Sequence, residues 1–217
     1  VMDIIEEYGY IPNAFARGMG LRSLKTIGIL CADSSDLFTA RAIYLLEQEL
    51  QANGYESLLC CTGYNPDVRK NYLNLILSKK VDSIILVGSN FIAPTGLENE
   101  YINEAASHVP IMLLNASYNC PNVYSTLCDD RASMYEAASA LIRSGISDLI
   151  YLYDSDSYSG LKKLRGFQDA LKENGISHSP ENIYFYDGKR DSITDIAVFL
   201  ERISDSGIEF HGILASE

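Results

Sequence analysis

The chain has 217 residues, 47% of them hydrophobic and 21% charged, with a formal net charge of −12. That length holds one large domain or two small ones, and the composition is ordinary for a soluble globular protein. No apolar run approaches the roughly 18 residues that span a bilayer, and acidity taken whole argues against nucleic acid, whose binders need lysine and arginine to displace counterions from phosphates.

The opening VMDIIEEYGY sets Val1, Ile4, Ile5 and Tyr8 on one helical face, with Gly9 placed to end the helix. It reads as a helix that begins before Val1 and lacks partners for its apolar face. Asp3, Glu6 and Glu7 stand where a signal peptide would carry its basic and apolar regions, so no signal peptide is expected. In YIPNAFARGM, Pro12 stops the first helix and Asn13 is placed to cap a short second one. GLRSLKT is a polar linker. Residues 1–26 balance Arg17, Arg22 and Lys25 against Asp3, Glu6 and Glu7, so the whole −12 belongs to residues 27–217. The acidic body is therefore a poor DNA surface, whereas the opening segment is not.

From residue 27 apolar runs alternate with amphipathic helices. IGILCA is a strand. SSDLFTARAIYLLEQELQANG is a helix with Ala42, Leu45, Leu46 and Leu50 inward and Gly54 closing it. YESLLCC is a strand, and the next helix starts with Asn65 as cap and Pro66 at its first position. VDSIILVG is a strand, YINEAASH a short helix, and VPIMLLN a strand that VYSTLCD extends. DRASMYEAASALIRSG is a helix ended by Gly145. A second series follows: the strand DLIYLYD, a helix with Leu161, Leu164, Gln168 and Leu171 in register, the strand NIYFYD, the helix SITDIAVFLERISDSG and the strand HGILAS. Continuous apolar strands alternating with long helices imply parallel sheets covered on both faces. The pattern predicts two Rossmann-like subdomains, with the join near residues 145–147 and ligands bound outside the carboxyl ends of the strands, between the two lobes.

Candidate chemistry is sparse. Five cysteines, Cys31, Cys60, Cys61, Cys120 and Cys128, form no CxxC pair and read as reduced, partly buried thiols of a cytosolic protein. His108, His178 and His211 are scattered, so no metal site is expected. The first strand-to-helix loop, ADSSDLF, has no phosphate-cradling glycines. Ser35, Asp36 and Phe38 can contact a ligand there, or Ser34, Ser35 or Asp36 can simply cap the helix. DSDSYSG occupies the equivalent place in the second half, and its carboxylates suit a solvated helix-initiating loop better than acid–base work. Lys163 and Arg165, just inside the following helix, are of a type usually found on the surface. No nucleophile elbow, zinc-protease motif or other catalytic constellation is present, so no catalytic residue, cofactor or enzyme activity is expected.

YGYIPNAFARGMGLRSLKTIGIL resembles the junction of the LacI/GalR family of bacterial transcription regulators through Gly9, Tyr10, Pro12, Asn13, Ala16, Arg17, Lys25, Thr26, Ile27 and Gly28. VDSIILVG, ALIRSGISDLIYL and KKLRGFQDAL resemble further segments of the same family, so the likeness covers essentially the whole chain. It implies an α/β fold of the type I periplasmic-binding-protein-like class, with two Rossmann-like subdomains, parallel sheets and an incomplete second subdomain. Residues 1–11 would be the last helix of a helix-turn-helix headpiece, 12–26 a hinge helix and linker, 27–146 the N-terminal effector subdomain and 147–217 part of the C-terminal one. The implied function is a ligand-responsive, sequence-specific repressor, cytoplasmic and homodimeric, that binds operator DNA and a sugar or sugar-like effector and meets no membrane. Asn13, Ala14, Arg17 and Met19 would contact DNA, Met19 standing where the family wedges a leucine into the minor groove. Ser35, Leu37, Phe38, Ser157, Ser159 and Lys163 would contact the effector, Lys163 falling where many sugar-binding members place an arginine. A solute-binding protein of a transporter shares the two-lobe pattern, and an α/β enzyme acting on sugars or nucleotides is a further alternative.

Overall fold

The computed structural model describes residues 23–93, 96–176, 180–188 and 192–216. The chain divides into two compact units, Val1–Thr126 and Leu127–Glu217. The elements of the first are β1 (Thr26–Cys31), α1 (Leu37–Ala52), β2 (Glu56–Cys61), α2 (Pro66–Ser78), β3 (Ser83–Val87), α3 (Glu100–Ala106), β4 (Ile111–Leu114) and β5 (Val123–Thr126). Those of the second are α4 (Asp130–Arg143), β6 (Leu149–Tyr153), α5 (Tyr158–Glu173), β7 (Ile183–Phe185), α6 (Ile193–Asp205) and β8 (Gly212–Ala215).

The first unit is a five-stranded parallel sheet in the order β2-β1-β3-β4-β5. Its strands alternate between two apolar faces, which is why they read as unbroken hydrophobic runs. Leu30, Ile84, Leu86, Ile111 and Leu113 meet Leu73 and Ile76 of α2 and Ile102 and Ala105 of α3 on one side. Ile29, Cys31 and Val87 meet Ile43 of α1 on the other. Gly28 lets α2 close on β1, since a Cβ there would stand 2.4 Å from Ile76 Cγ2. The second unit has a three-stranded parallel sheet in the order β7-β6-β8. Met134 and Ala138 of α4 share a core with Phe167, Ala170 and Leu171 of α5 and with Leu149 and Tyr151 of β6. The Tyr151 and Phe167 rings stack at 5.0 Å.

Local signals hold where the chemistry is local. Asn65 caps α2, its Oδ1 accepting the amides of Asp67 at 2.9 Å and Val68 at 3.2 Å, with Pro66 opening the helix. Gly145, closing α4, has φ 94°, a conformation that glycine reaches without a Cβ penalty.

Two expectations are corrected. Leu45 is exposed, because the buried stripe of α1 passes through Thr39 and Ile43 and is flanked by Leu46 and Leu50. VYSTLCD does not prolong the preceding strand. It forms β5, a separate parallel edge strand reached through a loop whose ends, Asn115 and Asn122, take φ of 64° and 63°. The two compact units divide between Thr126 and Leu127, and α4 buries its apolar face with α5 and β6.

Candidate functional site

Both units carry a strand-to-helix loop at the carboxyl end of their first strand, the place where open parallel sheets bind ligands. In the first unit the loop runs from β1 to α1. Asp33 Oδ1 accepts the Ser35 amide at 2.8 Å and the Ser35 hydroxyl at 2.7 Å. Asp36 is the cap of α1, accepting the Thr39 amide at 2.8 Å. The choice among Ser34, Ser35 and Asp36 as cap is thereby settled. Leu37 and Phe38 start the helix with 87% and 47% of their surface exposed. They contribute little to the core of their own unit, although large apolar side chains are costly to leave in water.

In the second unit the loop between β6 and α5 is tightly built. Ser157 caps α5, its hydroxyl accepting the Gly160 amide at 3.2 Å, and Ser155 Oγ accepts the Ser157 amide at 3.1 Å. Gly160 is required by this closeness, since a Cβ would lie 2.1 Å from the Ser155 carbonyl oxygen. Ser159 is 2% exposed and its hydroxyl has no hydrogen-bond partner among the described residues. A buried hydroxyl in that state costs on the order of 1–3 kcal/mol relative to a satisfied one. Lys163 is half-buried, and its ammonium donates to the Ser216 carbonyl at 2.8 Å, tying α5 to the end of β8. An ammonium has three donors, and that bond uses one.

Thus Ser35, Leu37 and Phe38 gather at one strand end, and Ser157, Ser159 and Lys163 at another. Asn13, Ala14, Arg17 and Met19 lie outside the described residues. Among the described residues no group of three or more histidine, cysteine, aspartate or glutamate side chains is placed to hold a metal ion. No described helix is long and apolar enough to cross a membrane. Sequence reasoning missed Gly160 and the Ser216 carbonyl. Gly160 follows the capping serine at three residues and could have been noticed, whereas the Lys163–Ser216 bond joins positions 53 residues apart and leaves no local trace.

Residues 24–210 match the family described as periplasmic binding proteins and sugar binding domain of LacI family. An HTH-type transcriptional regulator of Lachnoclostridium phytofermentans is 45% identical over 224 residues, covering 100% of this chain and 64% of the relative. Catabolite control protein A of Priestia megaterium is 29% identical, covering 86% of this chain and 57% of its own length. The chain therefore spans about 60% of the length of these relatives. The crystal structure of a sugar-binding transcriptional regulator of the LacI family from Escherichia coli, complexed with phosphate, superposes with a TM-score of 0.71 at 23% identity, over 89% of this chain and 68% of that one. That likeness shows a shared fold. With its parallel sheets and helix-starting loops, the chain belongs to the LacI family and carries that family's periplasmic-binding-protein-like domain.

Proposed function

We propose that this chain is the effector-responsive part of a cytoplasmic, DNA-binding transcriptional repressor. The observation that carries the reading is the 45% identity, across the entire chain, to a regulator of the helix-turn-helix type. Residues 1–11 belong to the DNA-reading headpiece and 12–26 to the hinge and linker, with Asn13, Ala14, Arg17 and Met19 meeting operator DNA. The test is operator binding by the full-length protein, measured by fluorescence anisotropy. Deleting residues 13–19 abolishes it; undiminished binding after that deletion contradicts the proposal.

The effector is a sugar or sugar-like molecule. Ser35, Leu37 and Phe38 supply contacts from the first unit, and Ser157, Ser159 and Lys163 from the second. Support comes from the chemistry of these groups: an exposed aromatic ring for the apolar face of a sugar, a buried hydroxyl without a partner, and an ammonium with donors to spare. The match to a family described by its sugar-binding domain points the same way.

The protein acts as a homodimer on a two-fold symmetric operator. Edge strand β2 exposes Leu58 and Leu59, and α1 before it exposes Tyr44 and Leu45. An apolar sheet edge of this kind is a natural surface for a second copy. Leu59→Asp converts the dimer to monomer in analytical ultracentrifugation; a variant that remains dimeric contradicts this placement.

A further inference from the structure

We propose that Cys31 and Cys61 are a redox-active pair at which peroxide closes a disulfide across the ends of β1 and β2. The two are the last residues of adjacent parallel strands and are direct partners in register. Neighbouring strands lie about 4.8 Å apart, within the Cα separations that disulfides span. Partners in register project to the same face, and here their sulfurs stand 3.6 Å apart in the reduced form. Side-chain rotation is the movement that closes the remaining distance between them.

The backbone around the pair keeps it together. The Thr62 amide donates to the Cys31 carbonyl at 2.8 Å and the Gly63 amide to the Ala32 carbonyl at 3.0 Å, so the ladder continues past both cysteines. On its other side Cys31 is in register with Val87 of β3. Cys60, one residue away, projects to the opposite face and packs against the cluster of Leu30 and Leu73, which leaves Cys61 as the partner of Cys31. All five cysteines are free thiols, and Cys31 and Cys61 are in hydrogen-bonding contact.

The two thiols have unequal roles. Cys61 is exposed and Cys31 is buried. Burial, and after it the hydrogen bond and charge of Cys61, push the Cys31 thiol up to about 12, so at neutral pH Cys31 holds its proton. Cys61 is therefore the sulfur that meets the oxidant. Its thiolate attacks hydrogen peroxide, the O–O bond breaks, hydroxide leaves and Cys61 becomes a sulfenic acid. Cys31 then attacks that sulfur, its proton passing to the departing hydroxyl, and the disulfide forms with release of water. In total two thiols are oxidised, one peroxide is reduced, and two waters result. Transient disulfides in a reducing compartment are of this sensing kind.

The bridge sits immediately before the loop that carries Asp33 and Ser35 and caps α1, so oxidation braces the strand ends from which that loop departs. This inference is independent of which effector the protein binds.

The test is peptide mapping. Reduced protein is treated with hydrogen peroxide, alkylated in denaturant and digested with trypsin. The expected product joins peptide 26–41 to peptide 42–69, two of the five thiols resist alkylation, and dithiothreitol restores both. Cys61→Ser, at an exposed position, loses the joined product, and Cys60→Ser keeps it. A wild-type protein whose Cys61 advances to sulfinic acid while Cys31 stays alkylatable overturns the proposal. So does a joined product that survives Cys61→Ser, or a bridge confined to peptide 42–69.

Discussion

The carboxylate of Asp82 holds Thr26 at the entrance of β1. Its Oδ2 accepts the Thr26 amide at 3.0 Å and the Ser23 hydroxyl at 2.9 Å, while Oδ1 accepts the Leu24 amide at 3.3 Å. One side chain, placed just before β3, thus fixes residues 23–26, which lead into the first strand. Hydrogen bonds to a charged acceptor are worth roughly 1.5–3 kcal/mol, with partial exposure drawing the value down. Asp82→Ala is expected to destabilise the protein by about 2 kcal/mol, and Asp82→Asn by less, because the amide oxygen keeps part of the set. Urea unfolding of the two variants checks this; equal stability of Asp82→Ala and wild type contradicts it.

Gly166 sets the distance between α4 and α5. A Cβ on it would lie 2.2 Å from the Arg131 carbonyl oxygen, a backbone atom that cannot swing aside. Gly166→Ala must separate the helices, at a cost of about 1–3 kcal/mol for an overpacked core. Thermal unfolding should show a lowered Tm. An unchanged Tm would mean that the helices are not held this closely.

These two relationships mark what a linear reading can and cannot reach. The runs IGILCA and SIILV are readable as buried strands because both faces of the sheet are covered, and Asn65–Pro66 is readable as a helix start because a cap involves neighbours. Asp82 and Thr26 are 56 residues apart, and only the parallel order of β1 beside β3 brings them together. Cys31 and Cys61 are strand-ending residues in the sequence, but their pairing depends on register. Several apolar stripes, one of them through Leu45, can be drawn on α1, and the sheet selects the one through Ile43. The periodicity of α4 is the same whichever elements it packs against, and its partners Phe167 and Leu171 are visible in the fold alone. Among the residues proposed to meet the effector, Leu37 and Phe38 open a helix in the sequence, and their exposure is visible in the fold alone.

Lys163 donates to a carbonyl at the end of β8 and keeps further donors. Lys163→Met retains most of the aliphatic stem and removes the charge. Once an effector has been found by thermal-shift screening, isothermal titration should show its affinity reduced about tenfold or more, which is about 1.4 kcal/mol. Far-ultraviolet circular dichroism should be that of wild type. An unaltered Kd removes Lys163 from the effector site.

Cys31 couples stability to alkaline pH. Burial, aided by Cys61, raises its thiol from 9.0 to about 12 in the folded state. Between those values the folded protein retains a proton that the unfolded chain has released. The stabilisation is therefore complete below about 9 and declines as pH rises toward about 12, by up to about 1.4 kcal/mol per unit. Under reducing conditions, urea unfolding at about pH 8 and about pH 10 should show a steeper loss for wild type than for Cys31→Ala. Parallel losses in the two proteins contradict this origin.

Ligand-dependent operator binding is the proposed property that joins the hinge match, the fold and the two loops. Its most direct measurement is a fluorescence-anisotropy titration of the full-length protein on its operator, with and without the effector that raises its Tm. A regulator of this kind should change its operator Kd by about fivefold or more when the effector is saturating. It should leave binding to unrelated DNA of the same length weak under both conditions. An effector that stabilises the protein but leaves operator affinity unchanged, or DNA binding without sequence preference, contradicts that function.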